Sequence, residues 1–196
     1  DNRAANSLSV GFNHAVLMSR KSGVRYLTLF DQDSESSVDL VLGLCGALSR
    51  HQNYTVIGPT VVDVNTQLKQ RLPVLHSWSF TVYNYDQWPD GEVIDVDFII
   101  SSGMTINLAS LPVDCMFDER LAIDGVDSDM CLAIKDRGLR IGVSVADRMI
   151  HQLGARTVEK IFNVHFFPSH HSAERRRSIG FSTGFLMAKY TKPANV

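Results

Sequence analysis

Hydrophobic and polar residues alternate with two different periods along the chain, and together they predict a mixture of helices and strands. Apolar positions three and four residues apart predict helices over residues 11–20, 38–48, 105–111, 128–137 and 173–189. Short apolar or alternating runs predict strands over residues 26–30, 54–58, 79–85, 93–100 and 139–145. Because a strand, a helix and a strand follow one another early in the chain, we predict an α/β fold. Its sheet is expected to be mixed but mostly parallel and flanked by helices.

The middle of the chain leaves one choice of topology open. Residues 79–85 and 93–100 are separated by a turn-rich loop, so they form either a hairpin or two strands of a mixed sheet. The chain has no low-complexity tract, internal repeat or long linker, so we treat residues 1–196 as a single domain.

Composition and charge narrow the class of protein. The 196 residues are 44% apolar and 20% charged, which is typical of a soluble globular domain. No stretch approaches the roughly 20 apolar residues that a membrane-spanning helix needs. The net charge of −2 argues against a nucleic-acid binder, which usually carries a strong positive excess. The three cysteines have irregular spacing and apolar neighbours, so we expect free thiols in a cytoplasmic, reducing environment.

The first candidate for chemistry is the sequence Asp31-Gln32-Asp33, which follows the apolar strand 26–30. In an extended segment, residues two apart point the same way, so both carboxylates leave the carboxyl end of the strand together. Open α/β sheets bind ligands at that end. Mg²⁺ or Mn²⁺ would relieve the repulsion between the carboxylates and keep positions open for phosphate. The alternative is a polar turn in which Asp33 or Ser34 caps the next helix.

A second acidic cluster precedes the helix predicted over residues 128–137 and contains Asp124, Asp127 and Asp129. Capping of the helix by Asp127 and attraction to the positive end of the helix dipole account well for one carboxylate, and less well for three. A carboxylate held near a metal site can also act as a general base on a hydroxyl nucleophile.

His151 lies near the end of a strand region and is a candidate nitrogen ligand to the same cation, although a lone histidine is more often structural. Other catalytic signatures are missing. The sequence contains no Walker A motif, dinucleotide-binding glycine motif, nucleophile elbow or H-E-x-x-H zinc motif. These absences remove motif support for P-loop NTPases, Rossmann oxidoreductases, serine α/β-hydrolases and the common zinc proteases.

Taken in order, these segments resemble glycosyltransferase family 2, whose members invert the anomeric configuration and have the GT-A fold. The resemblance is closest to the bacterial rhamnosyltransferase-like subgroup and covers nearly the whole chain. The matching segments are residues 6–13, 26–34, 97–104, 117–119, 123–132, 151–154 and 171–176. The strongest of these is 26–34, which resembles the strand that carries the family's metal site. The ordered set is more specific than any single motif.

The resemblance implies a GT-A-like fold that is short at its N-terminus. Residues 1–60 would be the remainder of the nucleotide-binding half, and residues 61–196 would be the acceptor half with a C-terminal helix. Since the chain begins with Asp1, we expect a processed product or a fragment.

The resemblance also implies a role for individual residues. Asp127 would be the catalytic base that deprotonates the acceptor hydroxyl. The metal, Mg²⁺ or Mn²⁺, would be held by Asp33, Asp31 and His151. The donor would be bound by Asp31, Gln32, Asp33, Arg175 and Arg176. The acceptor would lie against Asp129, Asp124, Ser102 and Gly103.

The reaction that the resemblance implies moves a sugar from a dTDP- or UDP-linked donor to a glycan or lipid-linked acceptor. In the rhamnosyltransferase-like subgroup this sugar would be rhamnose. Bacterial polysaccharide synthesis is its expected setting. The C-terminal helix would either pack on the sheet, which we favour, or touch the inner face of the membrane through its basic end. Two other functions stay open: a non-catalytic carbohydrate- or partner-binding remnant of such a domain, and a nucleotidyltransferase. The latter usually needs a Gly-rich basic N-terminal loop that this chain lacks.

Overall fold

The computed structural model describes residues 7–31, 34, 36–64, 67–75, 80–83, 88–151, 159–161, 164–166 and 172–190. The helices in these residues are α1 (Leu8–Lys21), α2 (Val38–Arg50), α3 (Val126–Asp136) and α4 (Ala173–Tyr190). The strands are β1 (Tyr26–Thr28), β2 (Val56–Asp63), β3 (Leu72–Leu75), β4 (Phe80–Tyr83), β5 (Val93–Val96), β6 (Thr105–Asn107), β7 (Ile141–His151), β8 (Glu159–Ile161) and β9 (Val164–Phe166).

The central sheet has five described strands in the order β1-β6-β2-β7-β5. Strands β2 and β7 are parallel and pair from Val56 opposite Ile141 to Asp63 opposite His151, with a register shift after Pro59. Strand β6 is antiparallel to both β1 and β2, and β5 is antiparallel to β7. The fold is therefore α/β with a mixed open sheet and flanking helices, as predicted.

The expectation that the sheet is mostly parallel is wrong for the described strands. Three of the four strand pairs in the central sheet are antiparallel, and only the pair of β2 and β7 is parallel. The cause is β6, which lies in the segment where we predicted a helix. β6 inserts between β1 and β2, the two strands that the early strand–helix–strand order places side by side. Thr105 and Ile106 are β-branched and buried, which favours a strand, and pairing on both sides overrides the helical spacing.

The structure decides the topology that the sequence left open in the middle of the chain. Strand β4 pairs with β3 in a separate two-stranded sheet, whereas β5 joins the central sheet beside β7. The two predicted strands 79–85 and 93–100 therefore do not pair as a hairpin with each other. The sequence left the choice between a hairpin and two strands of a mixed sheet open. Strand β5 does join the mixed sheet, but β4 pairs with β3, which comes before it in the chain.

The central sheet is buried on both faces. Consecutive side chains of a strand point to opposite faces, so Val56 and Ile57 of β2 belong to two different hydrophobic clusters. Ile57 packs in the cluster that contains Leu44 and Leu48 of α2. Val56 lies in the larger cluster with residues from α1, β6 and α3. Because both faces are packed, the ends of the strands are held in fixed positions relative to one another.

The helix ends explain how two functional segments are placed. Helix α2 begins where the hydroxyl of Ser37 accepts a hydrogen bond of 3.1 Å from the backbone N–H of Leu40. Helix α3 begins after Gly125, whose φ of +82° is in the left-handed region that favours glycine. The predicted cap, Asp127, is instead the second residue inside α3.

Helix α4 packs on the segment that leads into α3 rather than being embedded in the fold. Ser182 is its buried residue, and Phe185 and Leu186 contact the larger hydrophobic cluster. No helix in the described part of the chain is long and apolar enough to cross a bilayer. Contact of α4 with a membrane surface stays a prediction.

The thiols provide a test of this packing. Cys131 is fully buried and burial raises its pKa to about 12, while Cys115 is also buried and burial raises its pKa. Cys45 on α2 is partly exposed. We expect an aromatic disulfide reagent to label Cys45 first, and the other two on the order of a hundredfold more slowly, because their thiols react only after local opening. Mass spectrometry of labelled peptides measures the three rates, and equal rates would contradict this packing.

Candidate active site

Polar side chains from several segments meet at one edge of the central sheet. Asp31 follows β1, Ser101 and Ser102 precede β6, Asp127 lies in the first turn of α3, and His151 ends β7. Because β1, β2 and β7 run in the same direction and β6 runs opposite, this edge holds the carboxyl ends of three strands and the amino end of β6. It is the edge at which open α/β sheets bind ligands.

Two carboxylates face each other across Ser101 at this edge. The hydroxyl of Ser101 donates a hydrogen bond of 3.4 Å to Oδ1 of Asp31, and its backbone N–H donates to the carboxylate of Asp127. Oδ1 of Asp127 also accepts a hydrogen bond of 2.9 Å from the N–H of Ser128. Asp31 and Asp127 are both partly buried. The sequence predicted both residues as site residues, and the structure brings them together.

Burial raises the pKa of Asp127, and the neighbouring charge of Asp31 raises it further, while the backbone N–H groups act in the opposite direction. A raised pKa makes the ionised carboxylate a better proton acceptor than an exposed aspartate. Perturbed carboxylates of this kind are concentrated at functional sites, although ion-pair networks perturb pKa values too. The geometry and the pKa direction both suit a general base.

His151 belongs to a second part of the same edge. Its Nδ1 lies 3.4 Å from the hydroxyl oxygen of Ser34, which in turn is hydrogen-bonded to the hydroxyl of Ser102. The hydroxyl of Ser102 also lies 3.8 Å from the sulfur of Met149. The sequence treated Ser34 only as a candidate helix cap, so its contact with His151 was missed. Its position directly after Asp31-Gln32-Asp33 was the available signal.

The glycine before β6, Gly103, is required by close packing under the site. Gly103 has a φ of +81°, and a Cβ there would lie 2.6 Å from Cγ of Pro59. Its N–H donates a hydrogen bond of 2.8 Å to the carbonyl of Leu29, which fixes the turn against the end of β1. The structure thus places the predicted residues Ser102 and Gly103 at this edge, where Gly103 shapes the backbone.

Asp129 is not brought to this edge. Successive helical residues turn by about 100°, so Asp129 points about 200° away from Asp127 on α3. Its carboxylate is fully buried and accepts hydrogen bonds from Nζ of Lys189 at 2.8 Å and from the hydroxyl of Tyr190 at 2.9 Å. An acceptor-binding role for Asp129 stays a prediction, and its observed partners both belong to α4.

Asp124 and the arginines of α4 lie on the α4 side of the same segment. Oδ1 of Asp124 is 3.5 Å from Nε of Arg175, and its carbonyl accepts a hydrogen bond of 2.7 Å from the hydroxyl of Ser182. Arg175 and Arg176 are exposed. Gln32 and Asp33, the remaining predicted donor and metal residues, lie outside the described residues.

The described residues supply part of the predicted metal site. Asp31 offers carboxylate oxygens, which Mg²⁺ and Mn²⁺ prefer, and His151 offers an imidazole nitrogen at the same edge. A divalent cation would also offset the repulsion between Asp31 and Asp127. No group of three His, Cys, Asp or Glu side chains in the described part of the chain is arranged to hold a metal ion. Asp31 and His151 have the donor atoms that such a cation takes, and the metal site with Asp33 as a further ligand stays a prediction.

A cavity of about 280 Å³ lies elsewhere, between the loop 114–116 and the ends of α3 and α4. Asp114, Cys115, Arg137 and Tyr190 are part of its lining, and it contains none of the predicted site residues. Concave shape alone therefore does not identify the candidate site. We assign the site to the polar edge because the carboxylates and the histidine meet there.

Comparison with known proteins supports a distant relationship to a glycosyltransferase. No family model matches the chain. A curated protein, the dTDP-rhamnosyl transferase RfbF of Shigella flexneri, is 23% identical to this chain over 161 residues. The match covers 78% of this chain and 53% of RfbF, so the matched part spans about half the length of that relative. The similarity is that of a distant glycosyltransferase-like relative and does not assign a family.

The turn under the site can be tested with two glycine variants. Gly103 and Gly138 both have positive φ, +81° and +71°, but a Cβ at Gly138 would meet no heavy atom within 4 Å. We expect Gly138→Ala to lower the free energy of unfolding by about 1 kcal/mol because of backbone strain alone. Gly103→Ala should cost about 1–3 kcal/mol more, because its methyl group also clashes with Pro59. Urea unfolding measures both values, and equal costs would contradict the described packing.

Proposed function

We propose that this chain is a metal-dependent, inverting glycosyltransferase domain with a GT-A-like fold. It moves a sugar from a nucleoside diphosphate sugar, dTDP- or UDP-linked, to a hydroxyl of a glycan or lipid-linked acceptor. The observation that carries the proposal is the partly buried carboxylate of Asp127, which faces Asp31 at the ligand-binding edge of the sheet. The distant similarity to RfbF supports the same class of reaction and suggests rhamnose as the sugar.

In this proposal Asp127 takes the proton from the acceptor hydroxyl as its oxygen attacks the anomeric carbon. The bond between that carbon and the donor phosphate oxygen breaks on the opposite face, and the nucleoside diphosphate leaves with the electron pair. The attack inverts the anomeric configuration. The N–H groups of Ser101 and Ser128 hold the carboxylate in place for proton transfer. A divalent cation, when bound, neutralises charge on the leaving diphosphate.

The donor is assigned to the segment that follows β1. Asp31, Gln32 and Asp33 bind the ribose, the diphosphate and the cation in this proposal, and His151 completes the cation site. Arg175 and Arg176 are assigned to the diphosphate or to an anionic acceptor. Nε of Arg175 lies 3.5 Å from Oδ1 of Asp124, and the remaining N–H groups of its exposed guanidinium are available to a phosphate.

The acceptor is assigned to the region between the turn before β6 and the start of α3. Ser102 and Gly103 form the part of this region that lies under the site, and Asp124 lies beside the start of α3. Synthesis of a bacterial polysaccharide at the cytoplasmic face of the membrane is the setting we propose. A chain that binds nucleotide sugars without transferring them would instead be a non-catalytic binding domain, and the experiments below separate the two.

The base assignment is tested by Asp127→Asn. We expect sugar transfer to fall by roughly 10²–10⁴-fold, because the amide cannot accept the proton, while Kd for the nucleoside diphosphate stays within about twofold. The exposed Asp136, at the other end of α3, provides the matched control Asp136→Asn, which should transfer normally. Release of nucleoside diphosphate with a defined acceptor measures the rate. Normal turnover by Asp127→Asn would show that the base is another group.

The metal assignment is tested by Asp33→Ala in calorimetric titrations with dTDP and with UDP. We expect binding of the preferred nucleotide to be tighter with Mn²⁺ than without, and the variant to lose this difference because a cation ligand is gone. The exposed Asp114, which forms an ion pair with Arg137, provides the control Asp114→Ala. If Asp33→Ala keeps the full effect of Mn²⁺, the ligand assignment is wrong.

A further inference from the structure

The segment that carries Asp127 is tied to α4 on both sides of that residue. Before Asp127, the carbonyl of Asp124 accepts a hydrogen bond from Ser182, and Gly125 packs against the same serine. A Cβ at position 125 would lie 3.0 Å from Cβ of Ser182, so the left-handed glycine that starts α3 also permits the contact. The start of α3 is therefore seated directly on α4.

After Asp127, the last turn of α4 holds Asp129. Nζ of Lys189 lies 2.8 and 3.1 Å from the two carboxylate oxygens of Asp129, and the hydroxyl of Tyr190 lies 2.9 Å from Oδ1. The same hydroxyl is 3.1 Å from the backbone carbonyl of Asp129, so the contact fixes the backbone as well as the side chain. Lys189 also binds Asp118 at 2.8 Å, which joins the loop before α3 to the same anchor.

This anchor is an ion pair between the fully buried carboxylate of Asp129 and Lys189, which lies at the protein surface. Partial burial alone would lower the pKa of Lys189, but its hydrogen bonds to Asp118 and Asp129 raise it overall. Burial and the hydrogen bond to Asp129 raise the pKa of Tyr190, so the hydroxyl remains a donor. A fully buried carboxylate is costly unless it is paired. The buried charge of Asp129 therefore ties the first turn of α3 to one position of α4.

We propose that Lys189 and Tyr190 are positioning residues for the base: by holding Asp129, they set the orientation of the first helical turn and of the Asp127 carboxylate within it. This inference rests on the proposed function, since it assigns a role relative to the proposed base. Both residues bind Asp129 rather than the proposed base. Asp127 and Asp129 leave α3 in nearly opposite directions, so one carboxylate is held by α4 while the other faces Ser101 and Asp31.

A positioning role and a purely structural role of Lys189 and Tyr190 predict different changes in kcat, in KM for the donor and in the folded fraction. A displaced base slows proton transfer but leaves the donor site intact, and a misplacement of about 1 Å can cost up to roughly 10²-fold in rate. We therefore expect the anchor variants to lower kcat for transfer and to leave nucleotide binding and KM for the donor nearly unchanged. A purely structural role would lower activity only in proportion to the folded fraction.

The test compares Tyr190→Phe, Lys189→Met and the conservative Lys189→Arg. Tyr190→Phe removes one hydrogen bond while Lys189 still pairs the buried carboxylate, so it keeps the test informative if Lys189→Met fails to fold. The matched control is Tyr54→Phe, which removes a hydroxyl bound by Arg140 just before β2, at the end of that strand away from the site. All variants are assayed at a temperature where circular dichroism shows them folded.

We expect kcat to fall by about tenfold or more in Tyr190→Phe and further in Lys189→Met, with KM for the donor within about twofold. Lys189→Arg and Tyr54→Phe should stay near the unmodified chain. Unchanged kcat in Tyr190→Phe and Lys189→Met, or a loss that matches the unfolded fraction, would overturn the inference.

Hydrogen exchange separates this inference from the proposed function, because it needs no activity. In Tyr190→Phe the amides of residues 128–131 should exchange faster, while those of α2 keep their rates. If the unmodified chain transfers no sugar but these amides exchange faster in Tyr190→Phe, the proposed function is wrong, while the anchoring of α3 by Lys189 and Tyr190 is supported. If the chain transfers sugar but these amides and kcat do not respond, the anchor fails and the function stands.

Discussion

The structure depends on the antiparallel strand β6, which lies between β1 and β2 and pairs with both. Its three residues are buried, and the sheet around it is covered by helices on both faces. Since β6 runs opposite to its neighbours, the turn that leads into it lies at the carboxyl ends of β1, β2 and β7. This constraint places Ser101 and Ser102 beside Asp31 and His151, and it gives the candidate site its floor.

The electrostatics of the site follow from that arrangement. The carboxylates of Asp31 and Asp127 converge on Ser101, so repulsion and burial act on the same group, and the pKa of Asp127 rises. On the other side of α3, the carboxylate of Asp129 is neutralised by Lys189 and satisfied by Tyr190. One short helical turn therefore presents the carboxylate of Asp127 to the candidate site and the carboxylate of Asp129 to Lys189 and Tyr190 on α4.

Sequence patterns predicted the helices and most strands of the sheet, because their apolar spacing is local. The family resemblance implied that Asp31, Asp127 and His151 belong to one site, and the structure places all three at one edge; their roles stay predictions. The patterns failed where pairing decides the outcome, since β6 is a strand only between its two neighbours. The partners of Asp129 were also missed, because Lys189 and Tyr190 lie 60 and 61 residues further along the chain. The helical period offered one signal: residues two apart on a helix do not share a face.

The central claim is that the edge holding Asp31 and Asp127 catalyses sugar transfer with inversion. It is tested most directly by the anomeric configuration of the product. The chain, supplied with Mn²⁺, a dTDP- or UDP-linked sugar and a hydroxyl acceptor, should form a glycoside whose configuration, read from its NMR coupling constants, is opposite to that of the donor. A product that retains the donor's configuration would contradict the account, as would the absence of transfer from every nucleotide sugar tested.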